Sequence, residues 1–142
     1  MNIDRVEHPQ WLSNAYLVAE GPGGHGFFVD GNGLTDELER RVEREGITIT
    51  HVLVTHGHAD HVVGVEDLAA RHGVPLVAHA DTPVRADARL GDGEMVTSGG
   101  LEVRALYPYL EDPDVGIALD PEWKVPADQV PGKVIGTTDS SV

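Results

Sequence analysis

A chain of 142 residues with 40% hydrophobic side chains is long enough for one domain with its own core, and too apolar to stay unfolded. Its formal net charge of -14, with Lys124 and Lys133 as the only lysines, repels phosphate backbones and argues against nucleic acid as a partner. Zero cysteines rule out disulfides and thiolate ligands, no apolar run approaches the roughly 18 residues of a membrane span, and no basic amphipathic stretch suits a membrane surface. The N-terminal Met1-Asn2-Ile3-Asp4-Arg5 lacks the basic and apolar regions of a signal peptide, so a cytoplasmic location is expected.

In chain order, Asn14 to Glu20 reads as a strand with Tyr16 and Val18 on one face. Gly21 to Gly26 is a turn. A second strand, Phe27-Phe28-Val29, ends at Asp30-Gly31-Asn32-Gly33. Leu34, Leu38 and Val42 recur among acids and arginines, the pattern of an amphipathic helix that Gly46 is placed to end. Ile47 to Val54 is the next strand, and its apolar Val52-Leu53-Val54 predicts burial on both faces. Val65, Leu68 and Ala69 mark a helix stopped by Gly73, and Pro75-Leu76-Val77-Ala78 a short strand. Gly99-Gly100 divides Met95-Val96-Thr97 from Leu101 to Leu106, a hairpin. Strand and helix alternate, so an α/β layered domain is expected. After Leu106 no period of 2 or 3.6 persists, and five of the nine prolines fall there. That segment reads as a long loop, a packed tail or a poorly ordered stretch, with Gly132 to Gly136 as its one strand-like piece.

The densest chemistry lies in Thr55-His56-Gly57-His58-Ala59-Asp60-His61, at the C-terminal end of the strand that closes with Val54. His56 and His58 alternate, so both rings can turn to one side of an extended loop, and Asp60 and His61 can serve a neighbouring ion. Imidazole and carboxylate are the ligand set of borderline divalent metals such as zinc. A His-rich surface tract binding stray metal is the plain alternative. Against it stands the loop's position between a buried strand and a helix. His79, just past the strand ending at Ala78, is a further candidate ligand because α/β sheets gather ligands at strand ends. His8, His25 and His72 read as solvated surface residues, and His51 as a structural histidine. Gly21-x-Gly23-x-x-Gly26 matches a dinucleotide fingerprint in letters, but a strand follows where a helix is needed. A calcium loop starting at Asp30 fails because Thr35 and Arg41 stand where Gly and Glu are required.

With the strand before it and Gly64 after it, Thr55 to His61 resembles the signature of the metallo-β-lactamase superfamily, and most closely its hydroxyacylglutathione hydrolase (glyoxalase II-like) branch. The resemblance runs to Leu106 and takes in Phe28-Val29-Asp30-Gly31, the helix from Leu34 and the Leu90-Gly91-Asp92-Gly93 turn. It implies an αββα sandwich with an incomplete second half, residues 1–106 forming the family-like part and 107–142 a divergent segment of the same domain. It also implies that His56 and His58 hold a first metal, that Asp60 and His61 hold a second, and that Asp30 braces the ligand loops. The family takes a third histidine from a Thr-Pro-Gly-His segment. Here the chain reads Leu106-Tyr107-Pro108-Tyr109-Leu110, and no histidine follows His79. Asp139 is the candidate for the family's bridging acid.

The implied activity is metal-dependent hydrolysis of an ester, thioester or amide bond in a small molecule. Asp60 would orient the attacking hydroxide, and one or two zinc ions would act as cofactor, with iron and manganese also compatible. The missing third ligand makes weak activity an expectation. The rival is a non-catalytic metal-binding or interaction protein that keeps half a site. A homo-oligomer is open in either case.

Overall fold

The computed structural model describes residues 1–105, which lie within one unit, Met1–Tyr107. The expected divergent segment from 107, with Asp139 and the strand-like Gly132 to Gly136, lies outside the described residues.

Twelve elements follow one another: β1 (Asn2–Glu7), β2 (Asn14–Ala19), β3 (His25–Val29), β4 (Gly31–Asn32), α1 (Asp36–Glu45), β5 (Thr48–Val54), α2 (Ala59–Val62), α3 (Val65–His72), β6 (Leu76–His79), β7 (Ala88–Leu90), β8 (Met95–Ser98) and β9 (Leu101–Arg104). Six strands form one sheet in the order β1-β2-β3-β5-β6-β7. The first three are antiparallel, as short connections dictate, and β3, β5, β6 and β7 run parallel. β8 and β9 make a separate hairpin.

The parity of the strands explains the layers. Ala15, Leu17, Ala19, Phe28, Val52, Val54, Leu76 and Ala78 form one apolar face. Leu38 and Val42 of α1, with Val65, Leu68 and Ala69 of α3, pack into the same core. The alternate positions Val18, Phe27, Val29, Leu53 and Val77 are buried as well. A sheet apolar on both faces belongs inside a layered sandwich, and Val52-Leu53-Val54 reads as that centre strand should. Gly46 and Gly73 end the two long helices in the left-handed conformation.

Three expectations need correcting. α1 begins at Asp36, so Leu34 precedes it and is exposed, while the helix grips the core through Leu38 and Val42. β1 was not foreseen: Asp4 reaches Arg41 of α1, an ion pair no local pattern reveals. His72 is no solvated residue. Its ring lies 5.4 Å from that of Phe28, and its Nε2 is 3.4 Å from Glu39 Oε1.

Glu20 joins the β2–β3 turn to the β8–β9 hairpin. Its carboxylate accepts the amides of His25 and Gly100, each at 2.7 Å. Those two backbone bonds hold its pKa below the ordinary carboxyl value. The stabilisation is therefore present above the unfolded-state pKa and is lost as pH falls through the lowered one. Glu20→Ala should raise hydrogen exchange at the Gly100 amide at neutral pH, and the wild type should approach the variant only in acid. Equal exchange at neutral pH would count against this anchor.

Candidate metal centre

Val29 and Leu53 are paired in the parallel ladder, so the C-terminal ends of β3 and β5 arrive side by side. β3 ends at Asp30, which turns into the left-handed region at φ 59° while its amide still donates to Leu53 O at 2.8 Å. Asp tolerates this conformation better than most residues. The carboxylate, only 2% exposed as a residue, points at the end of β5. Oδ1 accepts the Thr55 amide at 2.8 Å, and Oδ2 accepts Thr55 Oγ1–H at 2.6 Å. Oδ2 also lies 2.8 Å from His61 Nδ1.

These contacts fix one tautomer and orient a second ring. Thr55 Oγ1 has one proton, and the carboxylate takes it. The His56 Nδ1 that stands 2.9 Å from the same hydroxyl must then be the donor, which leaves Nε2 with a free lone pair. His61 donates from Nδ1 to Asp30 directly and turns its Nε2 toward Asp60 Oδ2, 3.6 Å away. One carboxylate thus sets both rings, as outer-shell acids do around metal ligands. The two rings lie 4.1 Å apart by their centroids.

His56 Nε2 faces His58 Nδ1 at 3.0 Å. With His56 Nε2 unprotonated, His58 must supply the proton between them. Two imidazole nitrogens on a tetrahedral zinc stand about 3.3 Å apart, given bonds of about 2.0–2.1 Å. A small shift, with the His58 proton moved from Nδ1 to Nε2, would therefore turn the hydrogen-bonded pair into a two-nitrogen bite. The donor set fits a divalent ion on this ground. Among the described residues, no group of three or more His, Asp or Glu side chains forms a ready cage; the loop offers pairs.

Burial lowers the His56 pKa, with the nearby His61 acting in the same direction, so its ring is neutral as a ligand must be. The His61 pKa is raised, chiefly by its hydrogen bond to Asp30. His56 and His61 are half-buried and His58 is exposed, leaving the pairs open to solvent on one side.

The backbone of the loop is also held from outside. Ser13 Oγ donates to Asp60 O at 3.0 Å. Residues 31 and 32 form bridges with Val62 and Val63, and a Cβ on Gly31 would lie 2.9 Å from both Val63 O and Val65 Cγ1, so only glycine fits. Asn32, fully buried, donates to Val6 O and Ser13 O and accepts the Leu34 amide. Ser13 and Asn32 escaped the sequence reading. The only signal was polar residues beside strand ends, too common to single them out.

Of the sequence-predicted ligands, the structure gathers His56, His58, Asp60 and His61 in one loop. His79 is buried at the end of β6, where its Nδ1 accepts the Asp81 amide at 3.2 Å. Asp139 lies outside the described residues. His51 is a half-buried strand residue whose Nδ1 lies 2.9 Å from Thr50 Oγ1, and burial lowers its pKa, as befits a structural histidine.

The His/Asp segment thus sits at the strand ends of a helix-backed sheet, three of whose five strand pairs are parallel. The profile of the metallo-beta-lactamase superfamily matches residues 8–139, and the chain belongs to that superfamily. It is 43% identical over 68 residues to a hydroxyacylglutathione hydrolase of Rhodopseudomonas palustris strain HaA2, covering 46% of this chain and 27% of the relative. A hydroxyacylglutathione hydrolase of Acidiphilium cryptum strain JF-5 is 39% identical over 95 residues, covering 65% of this chain and 38% of the relative. The chain therefore spans well under half the length of these curated relatives. In fold it resembles the crystal structure of ETHE1 from Myxococcus xanthus, with a TM-score of 0.64 at 23% identity, over 72% of this chain and 46% of that one.

Asp30→Asn tests the double role of the carboxylate. In metal-free protein the His61 pKa should fall toward that of a free histidine, read by NMR titration of its ring. The raised value means that the His61–Asp30 bond stabilises the fold fully below the unfolded histidine pKa, and that this part is lost as pH rises through the folded one. The stability difference between wild type and variant should accordingly be larger at pH 5 than at pH 9. An unmoved His61 titration would refute the assignment.

Proposed function

We propose that this chain is a metal-dependent hydrolase acting on an ester, thioester or amide bond of a small molecule, with zinc as its metal. What carries this reading is the Asp30 carboxylate, which through Thr55 leaves the Nε2 atom of His56 unprotonated and directly orients the His61 ring beside it. Bare surface histidines have no reason to be braced in this way. The membership of the superfamily and the hydroxyacylglutathione hydrolase relatives support hydrolysis as the reaction class.

In the proposed site His56 and His58 hold one ion, and His61 with Asp60 hold a second or assist the first. A divalent ion there would lower the pKa of water toward about 7 and polarise a carbonyl. The chain's own part is positional. Thr55 and Asp30 keep the His56 ring turned, and Ser13 fixes the Asp60 backbone. The Asp60 carboxylate accepts a hydrogen bond from the attacking water and orients it. A glutathione-type thioester fits the relatives' names. The net charge of -14 argues against a strongly anionic substrate.

Among the described residues the ligands come as pairs, and this favours a second reading, a metal-binding or interaction protein without turnover. The hydrolase and the metal-binding protein both require metal. Protein purified without added metal should carry at least one divalent ion per chain, and His56→Ala with His58→Ala should abolish it. A double variant that keeps its metal would overturn the loop assignment. Among the described residues no helix is long and apolar enough to cross a membrane.

Catalysis separates the two readings. A catalytic zinc usually has three protein ligands and one open position, and His56 with His58 supply two. Metal-dependent cleavage of a generic thioester should therefore run well below an ordinary rate of about 10 per second. Turnover at that ordinary rate would mean that another residue completes the shell. His79→Ala and Asp139→Ala would then identify it. No metal-dependent turnover at all would favour the second reading.

A further inference from the structure

We propose that Arg89 is a positioning residue for the His56–His58 pair, acting through the connection between β6 and β7. The inference rests on the metal reading above. β6 and β7 are parallel neighbours, and parallel neighbours ordinarily need a crossover of a dozen residues or more, usually helical. Here residues 80–87 make the whole connection, with no helix in it. A link so short leaves backbone carbonyls without ladder partners, and these carbonyls must be satisfied another way.

Arg89 gathers four of them, two of which, His79 O and Thr82 O, also accept the backbone amides of Thr82 and Val84. Its Nη1 donates to His79 O at 3.0 Å and to Thr82 O at 2.9 Å, with a longer contact to Ala80 O at 3.4 Å. Its Nη2 donates to Val84 O. A planar guanidinium with five donors suits such a ring of acceptors, and a lysine ammonium with three does not. Arg89 is itself exposed, so it fills no core volume, and its role in the fold is this set of bonds.

The tied loop forms a wall against the metal loop. Val84 packs on the core, and with Pro83 it closes the space over Gly57. A Cβ on Gly57 would lie 3.3 Å from Pro83 Cδ and Cγ, tighter than ordinary contact, and 3.4 Å from Val84 Cγ1, at its edge. Gly57 is the residue between His56 and His58. The wall therefore sets the path of the backbone that holds Nε2 of one ring 3.0 Å from Nδ1 of the other. Arg89 fixes the wall, the wall fixes Gly57, and Gly57 fixes the bite.

The test is zinc affinity, measured by competition with a chromophoric chelator, for wild type, Arg89→Ala, Gly57→Ala and the double variant. Arg89→Ala should weaken zinc by about ten-fold or more, the usual scale for losing an outer-shell support, and added methylguanidinium should restore part of the loss. Gly57→Ala should also weaken zinc, but by a smaller factor in the Arg89→Ala background, because the wall it strikes is already loose. Wild-type affinity in Arg89→Ala, or a Gly57→Ala penalty independent of residue 89, would overturn the proposal. If Arg89→Ala does not fold, Arg89→Lys takes its place, and wild-type affinity there would overturn it too. A wild type that binds no zinc would defeat the metal reading instead. Arg89 is then judged in metal-free protein by the ring-to-ring NOE of His56 and His58. Its loss on substitution supports the clamp, and its persistence refutes it.

Discussion

The buried carboxylate of Asp30 is the interaction on which the His/Asp loop depends. Burying an ionised carboxylate without partners costs several kcal/mol. Here both oxygens are met: Oδ1 by the Thr55 amide, Oδ2 by the Thr55 hydroxyl and by His61 Nδ1. The cost of removing the charge from water is thus offset by bonds that also order the loop. Each bond does two things, closing a backbone path and assigning a proton. A glutamate could not keep this geometry, since its longer arm would have to fold back from the end of β3. The left-handed backbone at Asp30 is the local strain that this position accepts, at a cost on the order of 1–3 kcal/mol.

The sheet makes that arrangement reachable. β3 faces an antiparallel neighbour on one side and a parallel one on the other, so the site sits where the two patterns meet. From the parallel side, the shared end of β3 and β5 brings Asp30 to Thr55. From the antiparallel side, the β1–β2 connection brings Ser13 to the carbonyl of Asp60. Gly31 lets the chain after Asp30 touch residues 63 and 65 without a side chain between them. The loop is thus braced on two flanks, by the shared end of β3 and β5 and by the β1–β2 connection just before β2.

What could be read in the sequence follows from the range of the interactions. Helices α1 and α3, strands β2, β3, β5 and β6 and the β8–β9 hairpin are marked by local period and by glycine, and all are present. The His/Asp loop was legible because four metal-capable side chains crowd into six residues. β1 was not, because it is an edge strand with a mostly exposed pattern, held by the antiparallel ladder and by Arg41. β7, at three residues, is too short to show a period. The supports of the site were least legible. Ser13 meets Asp60 across 47 positions and Glu20 meets Gly100 across 80, and neither pairing leaves a trace in the letters nearby. Arg89 reads as a surface arginine until its four carbonyl partners are seen.

The charge of the chain bears on the proposed metal site. Two imidazoles carry no charge of their own, so an ion held by His56 and His58 keeps its full positive charge unless a carboxylate joins. Asp60 and the Asp30 carboxylate behind His61 provide negative potential close at hand, and the excess of acids over bases across the chain adds a weak background of the same sign. At physiological ionic strength that background is screened beyond about 8 Å, so the near carboxylates dominate. Such a field favours the arrival of a cation and disfavours an anionic substrate, which must then be held by the ion itself. Ion retention and substrate capture therefore compete for the same charge. If the proposed ion has few protein ligands, this competition leaves it electrophilic but loosely kept, and the rigidity of the surrounding frame, from Asp30 on one flank to the wall at Pro83 on the other, would then decide whether it stays.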